Sequence, residues 1–227
     1  MTEEIHAPGA IAESVYHRVF RTDFSEPGFA LINLGPAYGS ESQRRLMIGL
    51  KNEFDRLERR HRGHELVYQS LTRFDQQVTT RPHRDGGPDE SILMLGYEPS
   101  RIESHMELSD YSMCADDLGL TPAEFLDQFN PMFPDGQNRL SGYTTLVETF
   151  DNTSFQILII NNSLKQIGDG IIGLLHTARI INPNREFSRI INSTMIASVV
   201  QGNGEDVSVD QQSDFVTTAV VRKPVYG

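Results

Sequence analysis

The sequence predicts a mainly β fold with flanking helices, wound as a double-stranded β-helix, the jelly roll. Two observations predict it. Between residues 65 and 200 the chain falls into eight short runs rich in Val, Ile, Thr, Tyr and Phe, residues that suit a pleated, half-buried surface. The long stripe of helical period, by contrast, lies before those runs, where it can cover a sheet from one side. The 227 residues are enough for one domain with a proper core. The expected organisation is a single domain over 1–227, with an N-terminal strand and covering helix over 1–64 and the β core over 65–200. A helical insertion falls at about 115–135, and a C-terminal extension occupies 201–227.

The first 25 residues are only lightly patterned. Gly28 to Leu34 is an apolar run closed by Gly35 and Pro36, a buried strand by composition. Ser40-Glu41-Ser42-Gln43 has the form of a capping box. Leu46, Leu50, Phe54 and Leu57 then fall on one helical stripe, predicting a helix from about Ser40 to His61. Arg59, Arg60, His61 and Arg62 suit its negative C-terminal end, and Gly63 its left-handed stop.

Eight strands are expected next: Leu66–Gln77, Val78–Asp85, Ser91–Tyr97, Ile102–Tyr111, Tyr143–Phe150, Phe155–Asn161, Gly170–Ile181 and Ser188–Val200. Thr121 as N-cap, Pro122 at the first helical position and Glu124 announce a short inserted helix, which with the loop 130–140 would form a lid or substrate wall. Residues 202–206 read as a flexible link, and Phe215–Val221 as a final edge strand.

A net charge of −11 argues against nucleic acid or an anionic membrane as partner, since both need clustered positive charge. A small molecule or a protein fits better. No run approaches the roughly 20 apolar residues of a membrane span. Cys114, the sole cysteine, has no partner for an internal disulfide, and residues 1–6 lack the basic start and apolar run of an export signal. A cytoplasmic protein is expected.

The chemistry concentrates at His83-Arg84-Asp85. On a strand, the period of two turns His83 and Asp85 to one face, where an imidazole and a carboxylate can grip one metal ion. His176, far downstream in a strand-like segment, supplies a third donor. Two histidines and one carboxylate on one face of an octahedral metal are the donor set of non-haem Fe(II) oxygenases.

The run His83 to Leu95, with its Gly86-Gly87-Pro88 turn and the apolar strand after it, resembles the first metal-binding segment of the Fe(II)/2-oxoglutarate-dependent dioxygenases. His176 is similar to their distal histidine, and Arg189 falls where that superfamily places its cosubstrate-binding cation. The resemblance spans roughly Leu66 to Val200. It implies metal ligation by His83, Asp85 and His176 and binding of 2-oxoglutarate by Arg189. It also implies hydroxylation of a small molecule or amino-acid side chain, using O2 and releasing succinate and CO2. Because the related halogenases lack the carboxylate, Asp85 favours hydroxylation. A planar guanidinium suits the remote carboxylate, to which it donates two parallel hydrogen bonds.

Rival assignments exist within the chain. His105 and Glu107 also stand at i and i+2 on an expected strand, and His61 and His64 form a second pair among arginines. Arg185 competes with Arg189, although Asn182-Pro183-Asn184-Arg185 reads as a turn and Ser188 to Ser193 as a strand. Where many relatives carry serine two residues after the arginine, this chain has Ile191, so Tyr68, Ser70 or Thr72 would have to supply the second hydrogen bond. Asn161, Asn162, Arg81, Arg84 and Asp110 are assigned to turn chemistry and surface solvation ahead of substrate contact. Cys114 is assigned to packing, and Met94, Met106, Met113, Met132 and Phe133 to core or lid. The alternatives to an oxygenase are a cupin-type metalloenzyme without 2-oxoglutarate and a jelly-roll binding protein without catalysis.

Overall fold

The computed structural model describes residues 7–223; the segment 1–6, read above for an export signal, and residues 224–227 lie outside the described residues. Two antiparallel sheets face one another, and helices flank them. The chain runs through helix α1 (Pro8–Val19), β1 (Phe29–Gly35), α2 (Ser40–Arg62), β2 (His64–Asp75), β3 (Ser91–Tyr97) and β4 (Ser104–Ser109). The short helices α3 (Tyr111–Asp117), α4 (Pro122–Gln128) and α5 (Pro134–Arg139) follow, then β5 (Thr144–Leu146), β6 (Phe155–Asn161), β7 (Leu175–Ile180), β8 (Ile190–Val200) and α6 (Val209–Thr217). The larger sheet has the order β1-β6-β3-β8-β2, the smaller one β5-β4-β7. Among the described residues no helix is long and apolar enough to cross a membrane.

Strand alternation builds two cores, one on each face of the larger sheet. Ile92 and Met94 of β3, with Ile157 and Ile159 of β6, pack against Leu46, Leu50, Phe54 and Leu57 of α2. Leu93, Leu95 and Tyr97 point the other way, joining Leu158, Ile160 and Ile191 against Met106, Leu108 and Ala178 of the smaller sheet. A strand buried on both faces reads as a continuous apolar run, as Ser91–Tyr97 does. Tyr111, Cys114, Ala115, Phe125 and Leu140 form a third cluster within the helical insertion, so Cys114 is indeed a packing residue.

Helix α2 matches its expected stripe and stops at Gly63 in the left-handed conformation (φ 67°), whose N–H bonds the Glu58 carbonyl. Its expected capping box does not form. The Gln43 amide donates to the carbonyls of Tyr97 and Gln156 (both 2.9 Å), while the Ser40 hydroxyl donates to Glu98 just past β3 (2.5 Å) and accepts from Arg44, so neither side chain caps the backbone of the first turn. The box at Thr121 and Glu124 does form, on α4.

Four further expectations are corrected. Val78–Asp85 is an irregular segment laid along the free edge of β7. Thr80 N–H bonds Ala178 O, and His83 and His176 exchange backbone bonds. The hydroxyl oxygens of Thr79 and Thr80 accept the amides of Ile180 and Ala178, displacing the carbonyls a regular ladder would use, and Pro82 has no N–H to offer. Phe215–Val221 is not a strand: Phe215 and Val216 belong to α6, which begins at a Ser208/Gln211 capping box. The lightly patterned start contains α1, whose Pro8 occupies the first turn and whose Ala12, Tyr16 and Val19 form its buried stripe. The strand expected over Tyr143–Phe150 is reduced to Thr144–Leu146.

Candidate metal and anion site

His83 and Asp85 stand on the segment along the β7 edge, and His176 stands on β7 itself. Their side chains meet: ligand atoms of the three lie within 4.8 Å of one another. Asp85 Oδ1 is 3.4 Å from His83 Nε2 and 3.9 Å from His176 Nε2, and the two rings are 4.2 Å apart. The premise that a strand would align His83 with Asp85 is replaced by a different device. Asn162, at the end of β6, accepts the Asp85 N–H on Oδ1 (3.0 Å) and donates Nδ2 to the Asp85 carbonyl (3.1 Å) and to Ser91 Oγ (3.1 Å). A buried side-chain amide thus plays the part of a neighbouring strand. Arg84 donates to the carbonyls of Asn162 and Pro88, closing the turn.

His83 Nδ1 lies 2.7 Å from the Arg81 carbonyl, which fixes the tautomer and leaves Nε2 toward Asp85. Burial works against its protonation, but the Asp85 carboxylate and the Arg81 carbonyl raise it above the ordinary imidazole value. Burial likewise penalises the Asp85 anion, yet His83, His176 and Arg84 hold its carboxyl below the usual range. His176 behaves oppositely: burial and then the charge of His83 push it down to about 4, despite Asp85. It is therefore a neutral imidazole, the form in which histidine ligates metals. Its Nδ1 is buried without a hydrogen-bond partner, and its Nε2 makes no protein bond shorter than the 3.9 Å contact to Asp85. A buried imidazole with both nitrogens unspent is costly. A cation between it, His83 and Asp85 would satisfy one of them, so the residues present fit a metal ion.

The same cavity, about 500 Å³, contains Arg189. Arg189 is 2% exposed, and its guanidinium donates to Ser104 Oγ (2.9 Å) and the Gln76 carbonyl (3.3 Å) and lies 5.0 Å from the Tyr97 ring. Among the described residues no carboxylate pairs with it through its side chain; Asp75 accepts only its backbone N–H. Burial lowers its pKa, while Tyr97 and Asp75 favour the cation. A buried charge without a counter-ion is unfavourable, and an anion in the cavity would relieve it.

The rivals fall elsewhere. His105 is exposed and Glu107 pairs with Arg179 (3.2 Å), while the residue between them, Met106, faces the cavity. His61 stacks on Tyr16, and His64 bonds Ser198 Oγ. Arg185 lines a separate hollow with Gln77 and Asn184. Tyr68, Ser70 and Thr72 do not line the Arg189 cavity; Tyr68 packs in the helix-side core beside Lys51. Asn161 bonds the Val19 carbonyl and Asp110 pairs with Arg21, both structural. Met94 and Met106 are buried, Met132 lines the cavity, and Met113 and Phe133 are exposed.

Sequence reasoning missed Tyr97. It is buried beside Arg189, and burial pushes its hydroxyl up to about 12, so it remains a donor. The signal was present, since alternation along Ser91–Tyr97 places it on the face of Leu93 and Leu95. Phe74 and Gln76, at the end of β2 and just beyond it, also line the cavity. No protein-family model matches the chain, and no curated protein matches it.

Proposed function

We propose that this chain is an Fe(II)- and 2-oxoglutarate-dependent oxygenase, a hydroxylase of a small molecule or an amino-acid side chain that releases succinate and CO2. The observation that carries the reading is that three convergent candidate metal donors share one cavity with a buried guanidinium that, among the described residues, lacks a carboxylate partner. His83, Asp85 and His176 would hold the iron, leaving positions open for a chelating 2-oxo acid and O2. Once bound, Fe(II) supplies the oxidative chemistry that couples decarboxylation of the cosubstrate to hydroxylation.

The protein's own part is placement. Arg189 offers a planar fork to the remote carboxylate of 2-oxoglutarate, and the Tyr97 hydroxyl beside it, which donates weakly to Met106 Sδ (3.5 Å), would turn to that carboxylate as a further donor. Such an uncompensated cation favours this reading over a metal site that takes no dicarboxylate. Phe74, Leu95, Met106 and Ile191 wall the cavity with apolar surface, which limits water around the reacting centre. The carboxylate of Asp85 in the donor set favours hydroxylation over halogenation. We read the two facing sheets as the halves of a jelly roll forming one domain, and the lone buried thiol as suited to a reducing cytoplasm.

Anaerobic titration of the apoprotein with Fe(II) and then 2-oxoglutarate tests the proposal. The expected result is a visible metal-to-ligand charge-transfer band in wild type, lost in Arg189→Ala and kept in Arg185→Ala. Absence of the band in wild type overturns the reading.

A further inference from the structure

The cavity wall has a charge pattern opposite to that of the molecule. The chain carries 31 acidic and 20 basic residues, yet among the described residues Asp85 is the only acidic one lining this cavity. Beside the three metal donors, its charged side chains are two arginines. Arg189 lies buried, and Arg81 is exposed at the rim, two residues before His83. Among the described residues no carboxylate stands within ion-pair distance of Arg81. The rim is otherwise apolar or already bonded. Val78 and Met132 line it at 48% and 50% exposure, and the hydroxyl oxygens of Thr79 and Thr80 are taken by amides of β7.

Space permits a second molecule. A five-carbon dicarboxylate has ten non-hydrogen atoms, which at no more than the roughly 30 Å³ of a water each fill at most about 300 Å³. The cavity holds about 500 Å³, and Val78 and Met132 on its lining are exposed to solvent.

We infer that the substrate is a small amphipathic carboxylate, its aliphatic part against Val78, Met132 and the apolar wall and its carboxylate paired with Arg81. This rests on the function proposed above, because it assigns Arg189 to 2-oxoglutarate and so leaves Arg81 as the cation facing the substrate. A guanidinium fork matches a carboxylate, and the lack of acidic groups at the rim among the described residues disfavours an amine.

The test uses the full chain loaded with Mn(II) and 2-oxoglutarate, which avoids turnover, titrated calorimetrically with octanoate, octanamide and octylamine. Octanoate is expected to bind tightest. Arg81→Gln should weaken octanoate roughly fivefold, the upper range for an exposed ion pair, and leave octanamide unchanged. Met132→Ser should weaken both alike. Equal binding of octanoate and octanamide, preference for octylamine, insensitivity to Arg81→Gln, or no binding of any probe to the loaded protein each overturns the inference while leaving the oxygenase reading standing. Failure to load Mn(II) and 2-oxoglutarate overturns both.

Discussion

Asn162 sets the position of Asp85, and its removal separates a structural loss from a loss at the proposed metal site. The side chain is fully buried and makes three hydrogen bonds to nitrogen and oxygen partners, two of them to the backbone of Asp85, besides a weaker one to Met195 Sδ (3.7 Å). Asn162→Ala deletes all three at roughly 1 kcal/mol each, an expected loss of about 3 kcal/mol in urea unfolding. Freed from its clamp, Asp85 would move relative to His83 and His176, and such an outer partner is typically worth about 10–100-fold in metal affinity. Asn161→Ala is the matched control. Asn161 is equally buried, and it bonds the Val19 carbonyl and the Ser163 amide without touching Asp85. Mn(II) affinity, read by calorimetry under conditions where both variants remain folded, should fall in Asn162→Ala and stay near wild type in Asn161→Ala. An unchanged affinity in Asn162→Ala, or an equal fall in both, refutes the clamp.

Three more outcomes follow from the site and its supports. His176 titrates at about 4 in the folded apoprotein and near 6.5 when unfolded, so the folded state binds fewer protons between those values. Its contribution is complete above pH 6.5 and is lost as pH falls toward 4; His176→Asn should flatten that acid limb in urea titrations across pH, and an unchanged limb would assign it to other groups. Tyr97→Phe keeps the ring beside Arg189 but removes a donor, so the Kd for 2-oxoglutarate in the Mn(II) protein should rise about fivefold, corresponding to ~1 kcal/mol. Ser208→Ala breaks the capping box of α6 and should cost about 1 kcal/mol in chemical denaturation, with Mn(II) affinity unaffected.

What was legible in the sequence follows the range of the forces involved. Strand β3 and the run Ile157–Ile160 of β6 could be read because burial on both faces demands an apolar run, and α2 because Leu46, Leu50, Phe54 and Leu57 declare a single stripe. Helix α6 was misread because Val216, Thr217, Thr218 and Val220 suit a strand locally, whereas the Ser208/Gln211 cap and the packing of Phe215 decide for helix. The false capping box of α2 has the same origin: Ser40 and Gln43 have long-range partners in Glu98, Tyr97 and Gln156 that no local pattern contains. At the site, the sequence singled out His83, Asp85, His176 and Arg189, which the fold brings to one cavity, but the scaffold holding the first two was not legible. Asn162 lies 77 residues from Asp85, and a motif describes neighbours in sequence.

The irregular course of residues 78–85 has a physical use in its own right. Strand β7 is the outer strand of the smaller sheet, and a bare edge of this kind invites pairing with another chain. A regular fourth strand would cover it, but would fix His83 and Asp85 at the spacing of the pleat. Here the Thr79 and Thr80 hydroxyls and the His83 backbone satisfy amides of β7, while Pro82 and the Asn162 clamp release the chain to bend Asp85 toward His176. The edge is protected with few backbone bonds, and the freedom so gained brings the carboxylate to within 4 Å of both imidazoles. On the proposed reading, covering the edge and assembling the metal donors are one structural act, which is why two ligands close in sequence depend on supports far along the chain.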